Sequence, residues 1–281
     1  MTLAKETLIP FHPAVHVGAG SNAYFAEINR AHPPKNVELL CYSVNPQVHA
    51  SDNRTLIENL EGLEATVESA RLIGDNHPMA ISPVTLRPRF NPNATGAEPD
   101  TPTGELPARV DPRQMSLFGA GWSLGSLKAL AKPGVMSLTY YETTGRLGVM
   151  EREKDPPLHR GFPAMPGWAF PLYHVKADVG EFAGGSVLPW TSGGDLAVDG
   201  IGLTKNGRTR ILLANLTEKT QKVRLACPLL KGEVRVKVMD ESNVMAAMTM
   251  AGVFRTDNGE PASGQPLDLE LHPYGLVRVD G

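Results

Sequence analysis

Val37-Glu38-Leu39-Leu40-Cys41-Tyr42-Ser43 is a short apolar run, a polar loop follows it to Ser51, and Asp52 to Gly74 then repeats Leu56, Leu60, Leu63, Val67 and Ala70 at helical spacing. After Gly74 comes a second apolar run, Met79-Ala80-Ile81-Ser82-Pro83-Val84. The period changes from two to 3.6 and back, which predicts strand, helix and strand. Asp52 suits the N-cap, because its carboxylate can accept from the unpaired N–H groups of a first helical turn. Gly74 suits the stop, where glycine is favoured.

The same alternation extends in both directions. Upstream, Val15 to Val17 predicts a strand, Gly18 to Asn22 a loop and Ala23 to Arg30 a short helix. Downstream, a long loop from Thr85 to Val110 precedes Asp111-Pro112, an N-cap followed by proline at the first helical position. Leu117, Ala120, Leu124, Leu127 and Leu130 then predict one apolar helix face, and Pro133-Gly134 ends it. Val135 to Tyr141 predicts a fourth strand, stopping at Glu142, and Leu172, Val175, Val179 and Phe182 the inner face of a closing helix. Successive βα units predict a parallel sheet with helices packed outside it.

Past Gly184 the pattern changes. Arg208 to Leu216, Gln221 to Ala226, Glu233 to Met239, Pro266 to Leu271 and Gly275 to Asp280 are short strand-like runs, and Lys205-Asn206-Gly207-Arg208 is a hairpin-type turn. Strands at this spacing with no helix between them predict an antiparallel β-sandwich. The expected organisation is residues 1–184 as a partial (β/α) barrel and 185–281 as the sandwich.

Composition limits the function. The 281 residues are 41% hydrophobic and carry 27 basic against 30 acidic side chains, a formal charge of −3. That balance gives no support to nucleic-acid or anionic-membrane binding, which usually shows a basic excess. No apolar run is long enough to span a bilayer, and Met1 to Val17 lacks a continuous apolar core for a secretory signal. Cys41 and Cys227 lie far apart, with no metal-type spacing. A reducing, cytoplasmic location is expected, with no cofactor and no metal. Asn215-Leu216-Thr217 matches a glycosylation acceptor, but a strand end is the expected reading.

In parallel barrels the active site lies on loops at the carboxyl ends of strands. The residues placed there are Asn22 and, a turn into the helix, Glu27; Asn45, Gln47 and His49; Arg87 and Arg89; and Glu142. Amides, guanidinium groups, an imidazole and a strand-end carboxylate suit a polyhydroxylated ligand, each of whose hydroxyls must find a partner on leaving water. Plainer readings stand beside these. Glu142 could cap a turn, His49 could be a helix-entry residue, and Glu27 could be a solvated ion-pair member. Arg87 and Arg89 could anchor the loop through Glu98, Asp100 or Glu105. Gly18-Ala19-Gly20 lacks the third glycine of a dinucleotide fingerprint. His49 with Asp52 matches no metal motif.

Several segments carry a family resemblance. Gly18 to Arg30, Tyr42 to Ala50, Ile81-Ser82-Pro83-Val84-Thr85-Leu86-Arg87-Pro88-Arg89-Phe90-Asn91-Pro92, Leu117 to Ser126 and Thr139-Tyr140-Tyr141-Glu142-Thr143-Thr144-Gly145 resemble the D-apionate lactonase family. Phe170 to Phe182 resembles its closing barrel helix, and Leu212 to Thr217 its C-terminal β-domain. The resemblance implies a cytoplasmic hydrolase of apiose catabolism that opens D-apionolactone to D-apionate. It also implies a barrel akin to those of glycoside hydrolases, followed by a β-sandwich. Family members are longer, so the βα units here are expected to be the second half of a TIM-type (β/α)8 barrel. The N-terminal domain and the first half of the barrel would be missing.

Lactone hydrolysis needs water activated by a base, a donor for the tetrahedral oxyanion, and a proton for the leaving alkoxide. By chemical fit Glu142 and His49 serve as base and acid, in either order. Arg87 or Asn45 is the oxyanion donor, and Gln47 and Asn22 bind hydroxyls, with Glu27 and Arg89 also at the substrate. The enzyme alternative is a glycoside hydrolase acting on apiose-type sugars, with Glu142 and Glu27 as its carboxylate pair. The non-enzyme alternative is a fragment that binds sugar or is inactive. An open half barrel would expose inward residues such as Leu40, Ile81 and Leu138, which predicts self-association and no lactonase activity as a monomer.

Overall fold

The computed structural model of the chain describes all residues except 1, 35, 36, 90, 92, 93, 97–99, 155, 157, 194 and 195. In chain order the first elements are α1 (Thr2–Leu8), β1 (Gly18–Ser21), α2 (Phe25–Arg30), β2 (Leu39–Val44), α3 (Asn53–Ile73) and β3 (Met79–Val84). A 3-10 turn (Pro112–Met115), α4 (Leu117–Leu130), β4 (Val135–Tyr140), β5 (Glu142–Thr144), β6 (Gly148–Met150) and α5 (Pro171–Gly180) follow. The C-terminal elements are β7 (Ser186–Leu188), β8 (Val198–Lys205), β9 (Arg208–Asn215), β10 (Gln221–Leu225), β11 (Glu233–Met239), α6 (Val244–Thr249), α7 (Ala251–Thr256), β12 (Glu260–Ser263), β13 (Leu267–Leu271) and β14 (Leu276–Asp280). Two compact units result: residues 2–101 with 129–141, and residues 102–128 with 142–281.

The first unit holds a parallel sheet in the order β1-β2-β3-β4. Strand order equal to chain order is what successive βα units of one hand produce. Among the described residues the outer sides of β1 and β4 have no strand partner. α3 begins and ends where the sequence places it. Asp52 accepts from the Thr55 N–H at 2.9 Å, and Gly74 closes the helix through its N–H to the Ala70 carbonyl. Asp52→Ala removes this cap and is expected to lower the urea midpoint at unchanged slope.

Two expectations for this sheet are corrected. The first strand is Gly18–Ser21, not Val15 to Val17, so Gly18 lies in the strand and not in a loop. Gly20 explains why an apolar search misses it: a Cβ there would stand 1.7 Å from the Cys41 carbonyl oxygen, so only glycine lets the β1 backbone lie this close to β2. Second, Leu40 and Ile81 are buried, with Tyr42 and Met79, and are not an exposed inner face. The Leu40 side chain packs against Gly74 at the end of α3, which places this set on the helix-covered face. Apart from the half-buried Leu39, in register with Gly18, the alternate positions are small or polar: Gly18 and Gly20, Cys41, Ala80, and Ser137 in register with Ala80. Leu138 is only half-buried.

In the second unit, Asp111 accepts from the Arg113 N–H at 2.9 Å and caps the 3-10 turn that leads into α4. α4 is buried around its whole circumference from Phe118 to Leu127, not on one face, and Gly121 lies against Ala214 of β9 and Leu216 just past its end. A helix apolar all round suits such a position.

The C-terminal part is a sandwich. A six-stranded sheet in the order β12-β11-β14-β9-β8-β7 faces a two-stranded ladder of β10 and β13. Ile211, Leu213, Val277 and Val279 of the large sheet meet Leu225, Leu267 and Leu271 of the small one to form the core. Asn206 and Gly207 form the β8–β9 hairpin turn with φ of 51° and 77°, as a two-residue primed turn requires. Asn215 is fully buried at the end of β9, donating to the carbonyls of Lys219, Leu271 and His272. That is the strand-end role expected for it. Strands β7, β8 and β12 and helices α6 and α7 add to the strand list read from the sequence. No described helix is long and apolar enough to cross a membrane.

Candidate functional site

The carboxyl edge of the parallel sheet is built from the turns after Ser21, Val44, Val84 and Tyr140. The first turn is pinned by Ser43. Its hydroxyl contacts the Asn22 carbonyl at 3.0 Å, donating to it, and also lies against that of Ala23. The Ala23 N–H donates to Ser21 Oγ at 3.1 Å. Asn22 is thereby fixed by its backbone with its side chain exposed.

The second and third turns are tied to each other. The Thr85 N–H donates to the Val44 carbonyl at 3.0 Å, and Gln47 Nε2 donates to the Leu86 carbonyl at 2.7 Å. The buried Thr85 hydroxyl donates to the Arg87 carbonyl at 2.7 Å. From the helix layer, Asn59 Nδ2 holds the Pro46 carbonyl at 2.9 Å. These bonds bring Asn45, Gln47 and Arg87 to one stretch of edge. Asn45 is half-buried, and its Oδ1 is shielded from solvent with no hydrogen-bond partner among the described residues. An amide oxygen in this position can accept a hydrogen bond from a ligand donor.

His49 lies further along the second turn and is exposed, and Arg89 is half-buried beyond Arg87. Of the acidic partners considered for the two arginines, Glu98 lies outside the described residues. Glu27 sits on α2, where Arg30 donates to both its carboxylate oxygens at 2.7 and 2.9 Å. Glu142 opens β5 in the second unit. Its N–H donates to the Leu147 carbonyl at 2.9 Å, and its side chain is exposed.

Tyr141 is a candidate that pattern reading misses. It follows β4, is buried, and holds φ at 50°, a left-handed backbone that a bulky aromatic residue rarely adopts. Its N–H reaches the Val84 carbonyl at 3.3 Å, and its ring lies 6.0 Å from that of Tyr140. Strain of this kind clusters at functional edges. The only sequence signal is the pair of tyrosines before Glu142.

On β2 itself the ionisable side chains are quiet. Burial raises the Cys41 thiol and pushes the Tyr42 hydroxyl up to about 12, so both stay neutral at neutral pH. Among the described residues, Asp240, Glu241 and His272 gather potential metal ligands within 4.8 Å. The His272 Nδ1 is 3.4 Å from Asp240 and 3.2 Å from Glu241, and Asp240 also accepts from Ser242. A histidine partnering two carboxylates accounts for this cluster.

Residues 4–184 match the family described as D-apionate lactonase, TIM barrel domain, and residues 195–279 match D-apionate lactonase, C-terminal immunoglobulin-like domain.

The chain belongs to the D-apionate lactonase family.

A curated relative, the D-apionate lactonase of Brucella anthropi, is 31% identical over 152 residues. That match takes in 53% of this chain and 25% of the relative, so the chain covers about a quarter of that protein. Solved structures with the same fold include a family 51 α-L-arabinofuranosidase from Bifidobacterium longum, with TM-score 0.56, 12% identity, 98% of this chain and 60% of that one. A GH30 endoxylanase from Clostridium papyrosolvens aligns with TM-score 0.54, 11% identity, 95% of this chain and 56% of that one. The fold is therefore that of a TIM-type barrel domain followed by an immunoglobulin-like domain.

Proposed function

We propose that this chain serves the opening of a sugar lactone, D-apionolactone to D-apionate, in apiose catabolism in the cytoplasm. The observation that carries the reading is the family match across both domains, 4–184 and 195–279. The strand-end chemistry supports it. In the proposal Asn45 or Arg87 faces the oxyanion that forms when water adds to the lactone carbonyl, and Gln47 and Asn22 take ring hydroxyls. Arg89 and Glu27 stand further out along the substrate. Glu142 and His49 share the base and acid roles. A glycoside hydrolase would draw on Glu27 as second carboxylate, and Arg30 already holds both its oxygens.

The unpaired outer sides of β1 and β4 leave rows of backbone donors and acceptors, which two copies of the chain could satisfy by pairing. The proposal includes such self-association. Sedimentation of the purified chain, with each fraction assayed for D-apionolactone opening, tests both parts. Activity is expected in an associated fraction and not in the monomer. Release of reducing sugar from apiose-containing glycans without lactone opening would establish the glycosidase reading. An active monomer would overturn the need for pairing, and no activity in any fraction would leave a non-catalytic fragment.

A further inference from the structure

One face of the six-stranded sheet builds the sandwich core, and the other carries apolar residues such as Leu212 and Leu276 together with a charged stretch. On that outer face Arg235 of β11, Asp280 of β14 and Arg210 of β9 stand in register across neighbouring strands. Arg278 is two residues from Asp280 on the same face. An open pocket of about 420 Å³ lies here, lined by the arginines Arg208, Arg210, Arg235, Arg255 and Arg278. Its lining carboxylates are Glu181 and Asp280, and its uncharged donor is Asn258. Five guanidinium groups against two carboxylates give the lining a net charge of +3.

The carboxylates are already shared. Asp280 takes Arg210 at 2.6 Å and Arg278 at 2.8 Å. Glu181 takes Arg210 at 2.6 Å and also contacts Arg255. With Asp178 behind them, the three inner arginines are balanced by three acids. The excess therefore rests on Arg208 and Arg235. Arg208 has no carboxylate partner among the described residues; its guanidinium carbon lies 5.4 Å from the centre of the Phe182 ring. Among the described residues the one ion pair of Arg235 is with Glu233, at 3.4 Å and in solvent, a pair of little worth.

A concave site of this size fits a small molecule, and guanidinium forks match phosphate oxygens geometrically. A doubly charged oxyanion answers the surplus better than a monocarboxylate does. We infer that this pocket, formed by the immunoglobulin-like domain with Glu181 just past α5, binds phosphate, as the free ion or as a phosphate monoester.

Calorimetric titration of the purified chain with inorganic phosphate, at ionic strength held constant with chloride, tests it. Saturable binding is expected, with acetate weaker. A parallel titration with glucose 6-phosphate separates the sources: tighter binding than inorganic phosphate assigns the site to an organic monoester, and equal or weaker binding to the free ion. The Arg208→Gln/Arg235→Gln double variant changes two exposed side chains outside the inner ion network. It should keep the parent's melting temperature in chloride and lose at least about tenfold in phosphate affinity. No saturable phosphate binding by the parent overturns the inference, and so does a double variant that binds phosphate as the parent does.

Discussion

Asp178→Ala is expected to destabilise the chain by roughly 3–5 kcal/mol, the cost of removing one partner from a buried ion network. Asp178 lies on α5, and its carboxylate reaches Arg255 at 2.9 Å, Arg278 at 3.0 Å and Arg210 at 3.6 Å. These side chains come from α7, β14 and β9, so one carboxylate fastens a helix of the barrel-type region to the outer face of the sandwich sheet. The arginine side chains are only 3–16% exposed. Burial works against the charge of Arg210, but Asp280 and Glu181 outweigh it and raise its pKa; Arg255 is likewise buried and held charged by Asp178 and Glu181. With Asp178 gone, three dry guanidinium groups would share two acids. Equilibrium urea unfolding measures the loss. Arg224→Ala is the control, since the Arg224–Asp268 pair is 70% and 71% exposed and its removal should change little. If the two variants unfold at the same midpoint, the network contributes nothing to stability.

None of that network could be read from the sequence. Asp178 and Arg278 are 100 positions apart, and charge alone does not say which acid meets which base. What was legible followed from local chemistry. Asp52 and Gly74 mark the two ends of α3 because capping depends on single residues at the helix boundaries. Asn206-Gly207 marks its hairpin because few residues accept φ above zero twice running.

The misses have equally local causes. β1 is Gly-Ala-Gly-Ser, and its strand character comes from backbone pairing with β2, not from side chains. β8 carries Gly200 and Gly202, which interrupt an apolar run; a Cβ at Gly200 would stand 2.3 Å from the Leu212 carbonyl oxygen. α6 and α7 are six residues each, too short to show a helical period in the sequence. At the site, strand order was enough to bring Asn45, Gln47 and Arg87 to one edge. The buried Asn45 oxygen and the backbone of Tyr141 are facts of three dimensions.

Glu142→Gln, made at the equivalent position of a full-length family member, is expected to lower lactone turnover at least about 100-fold if this carboxylate is the acid or base. The substitution is nearly isosteric. It leaves untouched the backbone bond from residue 142 to the Leu147 carbonyl and the pairing of β5 with β6, so the fold should survive. Only the ability to gain and lose a proton is removed. A fall in kcat with KM little changed therefore points to proton transfer, whereas a higher KM at preserved kcat points to a binding role. His49→Asn tests the other candidate by the same split of kcat and KM. A fall in kcat in the His49 variant, together with the fall in the Glu142 variant, assigns one proton step to each. Near-normal turnover in Glu142→Gln removes Glu142 from the mechanism and shifts the search to His49 and to the strained Tyr141, which precedes Glu142 in the chain.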